Sequence, residues 1–256
     1  KRPYLQEVGT SPGKLRIAFT TAHTLGLEVD PACRKAVETA VALLRGEGHT
    51  VEEVDLPYQK EELTRAFLTI VAGETAAELQ VLAGFLGRKV RPGDVEPNTY
   101  ALHLLGKSYS AAEYAYAKRG WNELCRRIGE FHARYDLLLT PTLAKRPFRT
   151  GALKNTPAES RLISVVNTLG LGSAVRAQVD QLAEKIYDWM PWTAFANMTG
   201  QPSMSVPMHR TEEENLPVGV MFTGRFGEED LMFRLAGQME KAAPWKDKFP
   251  VFAGVA

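Results

Sequence analysis

Ser203 and Ser205 lie two positions apart in the stretch WTAFANMTGQPSMSVP, and His209 follows shortly after it. Serine near histidine suggests nucleophilic catalysis, in which a hydroxyl attacks a carbonyl, imidazole takes its proton and amides hold the oxyanion. The spacing argues otherwise. In a strand, residues two apart share a face, so Ser203 and Ser205 point one way while Met204 and Val206 point the other. Cβ atoms two residues apart are about 7 Å from each other. His209, two positions further along that face beyond Pro207, is more distant still from Ser203. Small side chains on a crowded strand, satisfied by local hydrogen bonds, account for the pattern.

Other templates are incomplete. Gly170-Leu171-Gly172-Ser173 lacks the second glycine of a nucleophile elbow. Ser11-Pro12-Gly13-Lys14 has the letters of S-x-x-K, but Pro-Gly is turn chemistry and that motif needs a helical turn. His23, His49, His103, His132 and His209 form no H-x-H or H-x-x-x-H pair, so a histidine-built metal site has no support. Cys33 and Cys125 are too few for a disulfide framework and fall on apolar helix faces. Gly224-Arg225-Phe226-Gly227 could present amides to an anion; a plain strand-to-helix turn explains it as well. The chain carries no complete catalytic constellation.

The elements that would position these residues are legible. KLRIAF (Lys14–Phe19) reads as a buried strand, and Asp30-Pro31 opens a helix with the stripe Cys33, Ala36, Val37, Ala40, Val41 and Leu44. TVEEVDLP (Thr50–Pro57) reads as the next strand, completing a β-α-β unit. A long helix is expected over residues 61–86. Capping boxes at Ser110–Glu113 and Thr156–Glu159 start two more, and Ser173 caps another reaching about Tyr187. YDLLLTPT (Tyr135–Thr142) reads as a central strand covered on both sides. LPVGVMFTG (Leu216–Gly224) is a strand joined to the serine strand through roughly eight polar residues (Met208–Asn215), a length suited to an antiparallel pair. A helix over residues 228–241 ends the pattern. The fold class is α/β, a layered mixed β-sheet flanked by helices. Residues 1–256 are read as a single region with no internal boundary.

Thirty-one basic residues nearly balance 30 acidic ones, so no nucleic-acid partner is indicated. Arg126-Arg127 reads as a solvated helix face. No apolar run is read as reaching the roughly 20 residues of a membrane span, and no signal peptide is seen. Two lone cysteines fit a reducing, cytoplasmic setting. The start Lys1-Arg2-Pro3, without methionine, suggests processing or truncation.

FANMTGQPSMSVP followed by LPVGVMFTGRFGEEDLMFRLAGQME resembles the C-terminal region of the amidase signature family. The resemblance rests on Asn197, Gly200, Pro202, Ser205 and Pro207 and on Leu216, Pro217, Gly219 and Val220; YDLLLTPT and the β-α-β unit also match, so it spans essentially the whole chain. It implies the C-terminal half of a serine amidohydrolase fold cleaving linear or cyclic amides, without metal or other cofactor. Its Ser–Ser–Lys triad would lie ahead of Lys1, because no Gly-Gly-Ser-Ser-Gly-like string is present and neither Lys14, Lys35 nor Lys60 matches by context. Trp192, Phe195 and Asn197, with Thr140 and Thr142 at the end of the central strand, then become candidates for one wall of the substrate pocket. Trp192 and Phe195 could equally be core residues. The expected partners are a small-molecule amide and the N-terminal half of the same enzyme or a partner chain, since a half-sheet should expose an edge or apolar surface; a homodimer is a further possibility. The rival reading is a non-catalytic binding or assembly module on the same fold. A phosphate binder using Arg225 is a third.

Overall fold

The computed structural model describes residues 2–56, 58 and 60–245. In chain order the elements are β1 (Arg16–Phe19), α1 (Pro31–Gly46), β2 (Thr50–Glu53), α2 (Lys60–Leu86), α3 (Pro97–Ser108), α4 (Ala111–Arg134), β3 (Leu137–Pro141), α5 (Pro157–Leu169), α6 (Gly172–Ala177), α7 (Val179–Tyr187), α8 (Thr193–Thr199), β4 (Ser203–Arg210), β5 (Pro217–Gly224) and α9 (Glu229–Ala242). They fall into two units. One takes its described residues from Lys1–Pro57, Ile128–Pro147 and Met190–Ala256, the other from Tyr58–Arg127 and Phe148–Trp189.

The first unit is built on a five-stranded sheet of order β2-β1-β3-β5-β4. β1 runs parallel to β2 and β3, while β5 is antiparallel to β3 and β4, so the sheet is mixed. β3 is central, and all five of its residues are buried. The register puts Ile17, Val51, Leu137, Leu139, Val206, Val220 and Phe222 on one face. They form the core with the α1 stripe of Cys33, Ala36, Val37, Ala40, Val41 and Leu44 and with Met232, Leu235 and Met239 of α9. Each such aliphatic burial stabilises by about 1.5–3 kcal/mol. α1 starts where the sequence indicates: the Asp30 carboxylate accepts from the Ala32 N–H at 2.9 Å, and Pro31 opens the first turn.

Polar ties close the unit. Asp136 accepts from the Arg16 N–H and from Arg225 Nη2, both at 2.7 Å, joining β1, β3 and the turn after β5. His49 Nδ1 accepts from the Leu15 N–H, and its Nε2 meets Gln238 Oε1 of α9 at 2.9 Å, so that nitrogen carries the proton. Glu7, with only 4% of its side chain exposed, receives Arg2 Nε and Arg234 Nε at 2.7 Å each. These guanidinium hydrogen bonds, Arg2 first, hold its carboxyl down at about 2, below its ordinary 4.5.

The second unit is helical. α3 lies against α2 with the backbones touching: a Cβ on Gly106 would fall 2.0 Å from the Ala72 carbonyl oxygen. Both capping boxes are present. The Glu113 N–H donates to Ser110 Oγ, and the Glu159 N–H to Thr156 Oγ1. The same two carboxylates pair with Arg176 and Lys185, which keeps each of them at about 2.

Several expectations are corrected. The second strand stops at Glu53, short of Asp55-Leu56, and Pro57 lies outside the described residues. α3 is absent from the sequence reading; Pro97 begins it at the first helical position. The helix expected from Ser173 to Tyr187 is two helices, broken at Gln178. β4 continues to Arg210, shortening its connection to β5. By length and composition, Thr64–Leu86 does reach membrane-span criteria, with 23 residues and mean hydropathy 1.3. Arg65, Glu74 and Glu78 are the charges within it. Ala66, Leu68, Ala72, Ala76 and Leu79 of this helix are buried.

Two predictions follow from these contacts. Gly106→Ala should destabilise by about 1–3 kcal/mol in urea unfolding, since backbone must move to admit the methyl group. Glu7 has a depressed native pKa, so its contribution is present above about pH 4.5 and is lost as pH falls toward 2. Glu7→Gln should therefore lower stability at pH 6 and flatten the fall between pH 4.5 and 2; identical acid arms would contradict this.

Candidate functional site

Opposite the aliphatic core, the sheet presents hydroxyls. Leu138, Thr140 and Thr142 alternate out of β3 and the residue beyond it; the register sets Thr223, Met221 and Gly219 beside them, and Ser203, Ser205 and Pro207 beyond those. A two-side-covered sheet ordinarily carries aliphatic residues on both faces. Here one face is aliphatic and the other carries a run of threonine and serine.

Thr142 Oγ1 and Ser205 Oγ are 2.6 Å apart, and either can donate. Whichever donates, the pair keeps one further proton and spare lone pairs, which matches the acceptor and donor of an amide. Ser203 Oγ pairs in the same way with Thr223 Oγ1 at 2.8 Å. Thr140 is 2% exposed, and its Oγ1 has no hydrogen-bond partner among the described residues. Gly219 makes room for the Thr142–Ser205 pair: a Cβ there would meet Ser205 Oγ at 2.7 Å and Thr142 Oγ1 at 3.0 Å. Ser203 and Ser205 are exposed and Thr142 is half-buried, so the β4 end of this face is open.

His209 is not on that face, which corrects the expectation. A register shift between Pro207 and His209 sets His209 opposite Val218, on the side of the aliphatic core. The extra residue of a β-bulge reverses the alternation, and composition alone does not reveal it. His209 is therefore further from the serines than strand spacing implies.

The remaining candidates lie in α8 and the segment before it. Trp192 is 1% exposed, belongs to the main apolar cluster and donates from Nε1 to the Ala22 carbonyl at 3.2 Å. Phe195 is also buried. Asn197 is exposed, and its Nδ2 donates to the Thr193 carbonyl one turn back at 3.3 Å. Thr140, Thr142 and Ser205 are thus brought to one sheet face, whereas Trp192 is held by the loop after β1. Sequence reasoning set Ser205 aside when it dismissed the serine as a nucleophile; its alternation in phase with Ser203 was the available signal for a polar face.

Other groups are committed to structure. Arg225 donates from Nε to the His132 carbonyl at 2.8 Å as well as to Asp136, so its guanidinium already has structural partners. Lys14 Nζ donates to the Glu47 carbonyl and Lys35 Nζ to Glu38. Cys33 is free and buried, and burial pushes its thiol up to about 12. Among the described residues, no group of three or more His, Cys, Asp or Glu side chains could hold a metal ion.

Comparison with known proteins identifies the family. The lipoamidase of Enterococcus faecalis is 28% identical over 250 residues, covering 93% of this chain and 34% of its own length. The 6-aminohexanoate-cyclic-dimer hydrolase of Paenarthrobacter ureafaciens is 28% identical over 267 residues, covering 97% of this chain and 48% of its own. A solved structure of a 6-aminohexanoate cyclic dimer hydrolase complexed with substrate superposes with a TM-score of 0.74 at 24% identity, covering 96% of this chain and 48% of that one. The chain spans about half the length, or less, of these relatives. The family described as Amidase matches residues 1–233, and the chain belongs to it.

Proposed function

We propose that this chain is the C-terminal part of a serine amidohydrolase that cleaves linear or cyclic amide C–N bonds through a Ser–Ser–Lys triad contributed by polypeptide preceding it. The observation that carries this reading is the match of residues 1–233 to the amidase family by a chain half the length of its relatives. In such a triad a desolvated lysine acts as base through one serine while a second attacks the carbonyl. Here Ser203, Ser205, Lys14 and Lys35 are each engaged with other partners. The chain's part is to supply scaffold and one wall of the site, where the Thr142–Ser205 pair orients the substrate amide. Its partners are a small amide substrate and the polypeptide carrying the triad. Cys33 and Cys125 form no disulfide among the described residues, which fits a reducing compartment, and we place the enzyme in the cytoplasm.

A non-catalytic assembly module on the same fold is the alternative. Exposed Leu162, Val165 and Leu169 on α5 and Phe85 on α2 favour association with another surface in either case.

A fluorophosphonate probe separates the two. The isolated chain should not be labelled. Fused behind the half of the Paenarthrobacter ureafaciens hydrolase that it does not match, it should yield a labelled serine in that half. Robust labelling of the isolated chain would overturn the assignment of the triad to other polypeptide, and an unlabelled fusion would favour the assembly module. In the labelled fusion, Thr142→Val should raise KM about fivefold with little change in kcat, the effect of losing one neutral hydrogen bond to bound amide.

A further inference from the structure

His132, in the last turn of α4, is only 3% exposed. Its Nδ1 meets the Tyr135 carbonyl at 3.1 Å, and a carbonyl only accepts, so Nδ1 carries the ring proton. Nε2 then keeps a bare lone pair, which is buried and has no hydrogen-bond partner among the described residues. The edge of the Phe131 ring packs against it. Two other elements place charges beside the ring: Asp136 at the start of β3 favours a second proton, and Arg225 in the turn after β5 opposes one. Asp136 is already engaged by the Arg16 N–H, with Arg16 Nη2 3.7 Å away, and by Arg225 Nη2. Arg225 Nη1 also lies 3.5 Å from Glu228, while Tyr135 sits under Arg134 and donates its hydroxyl to Glu52 of β2. Burial is the largest influence on the imidazole, and it outweighs the bond to Tyr135 and the pull of Asp136, leaving its pKa below the ordinary 6.5.

The same residue anchors a turn through its backbone. The His132 carbonyl accepts from Arg225 Nε, so ring and anchor move together. Arg225 belongs to the turn Gly224–Gly227, which meets the entry to β4. The Gly224 N–H donates to the Pro202 carbonyl at 3.0 Å, and the Gly224 carbonyl accepts from Gln201 Nε2. Phe226 lies against Gly200, where a Cβ would come 3.4 Å from its ring. Next after Pro202 is Ser203, paired with Thr223 on the hydroxyl face.

We propose that His132 is a proton-operated latch on the hydroxyl face. Neutral, it holds Arg225 and keeps the turn after β5 against the first residues of β4. Protonated, its Nε2–H has no acceptor among the described residues, and its charge stands beside Arg225. The ring then turns out to water and takes the carbonyl with it, so the turn Gly224–Gly227 and the Ser203–Thr223 pair loosen. Loss of the proton reverses the step. The latch is therefore closed above about pH 6.5 and weakens as pH falls through the lowered native value. Across that interval the open fraction rises by up to about tenfold per pH unit, the slope for uptake of one proton.

Native-state amide hydrogen exchange of this chain between about pH 7.5 and 5, corrected for the intrinsic rate at each pH, tests this. Three amides report on the latch: Tyr135, bound to the Phe131 carbonyl, Gly224, bound to Pro202, and Glu228, bound to Arg225. Their protection should fall several-fold, up to about tenfold, per pH unit below 6.5, while that of Thr20, bound to the Leu139 carbonyl within the sheet, holds. His132→Gln keeps a donor but takes no charge, so the dependence should vanish; His49→Gln should retain it. Nitrogen NMR of the wild-type ring, which needs no variant to fold, should show the Nδ1–H tautomer titrating below 6.5. Loss of protection at Thr20 in step with the other three would mean global unfolding and overturn the latch. An unchanged pH dependence in His132→Gln, its disappearance in His49→Gln, or a His132 ring titrating at or above 6.5 would overturn it as well.

Discussion

Burial of β3 on both faces is the constraint on which the first unit depends. A strand with every residue buried leaves its backbone donors and acceptors no water, so both edges must be paired. β1 fills one edge and β5 the other. That double requirement brings a parallel strand from the start of the chain and an antiparallel strand from near its end to the same central line. Asp136, just before β3, fastens both ends of the arrangement through Arg16 and Arg225. The hydroxyl face follows from it: Thr140 and Thr142 leave β3 on the side opposite Leu137 and Leu139 and meet the residues of β5 and β4 in register.

The same sheet shows how a small polar site can sit on a large apolar scaffold. On one face the apolar side chains of all five strands meet α1 and α9 and supply the stability. On the other, hydroxyl pairs satisfy one another. Such pairs add little net stability, because water would serve them about as well. They keep donors and acceptors at fixed positions, which is what recognition of a neutral amide requires. Gly219 is part of this arrangement, since any side chain there would collide with the pair.

Much of this was legible before the structure. The α1 stripe, the capping boxes at Ser110 and Thr156, the apolar run of β3 and the antiparallel pairing of the last strands follow from periodicity and cap chemistry, which act over a few residues. What escaped depends on partners far along the chain or on backbone detail. The bulge that turns His209 to the other face leaves no mark on composition. α3 hides behind a proline and owes its place to close contact with α2 at Gly106. The pairing of Thr142 with Ser205 joins residues 63 positions apart, beyond the reach of any local pattern. Trp192 and Phe195 stood as pocket or core from sequence alone, and their burial is now plain.

The order of the strands also bears on how the chain reaches this state. Ser205 meets Met221 within a short hairpin, but the Arg16–Asp136 contact between β1 and β3 closes across 120 residues. By loop-length scaling alone the longer closure costs about 2 kcal/mol more in chain entropy. The span between β1 and β3 contains Tyr58–Arg127 of the helical unit. Compaction of those residues would shorten the distance to be closed. During synthesis the β1-α1-β2 segment waits with its inner edge bare while the intervening residues emerge, roughly ten seconds at ordinary ribosomal speed. A nascent chain with a bare apolar edge for that long is a substrate for chaperones that shield unpaired strands.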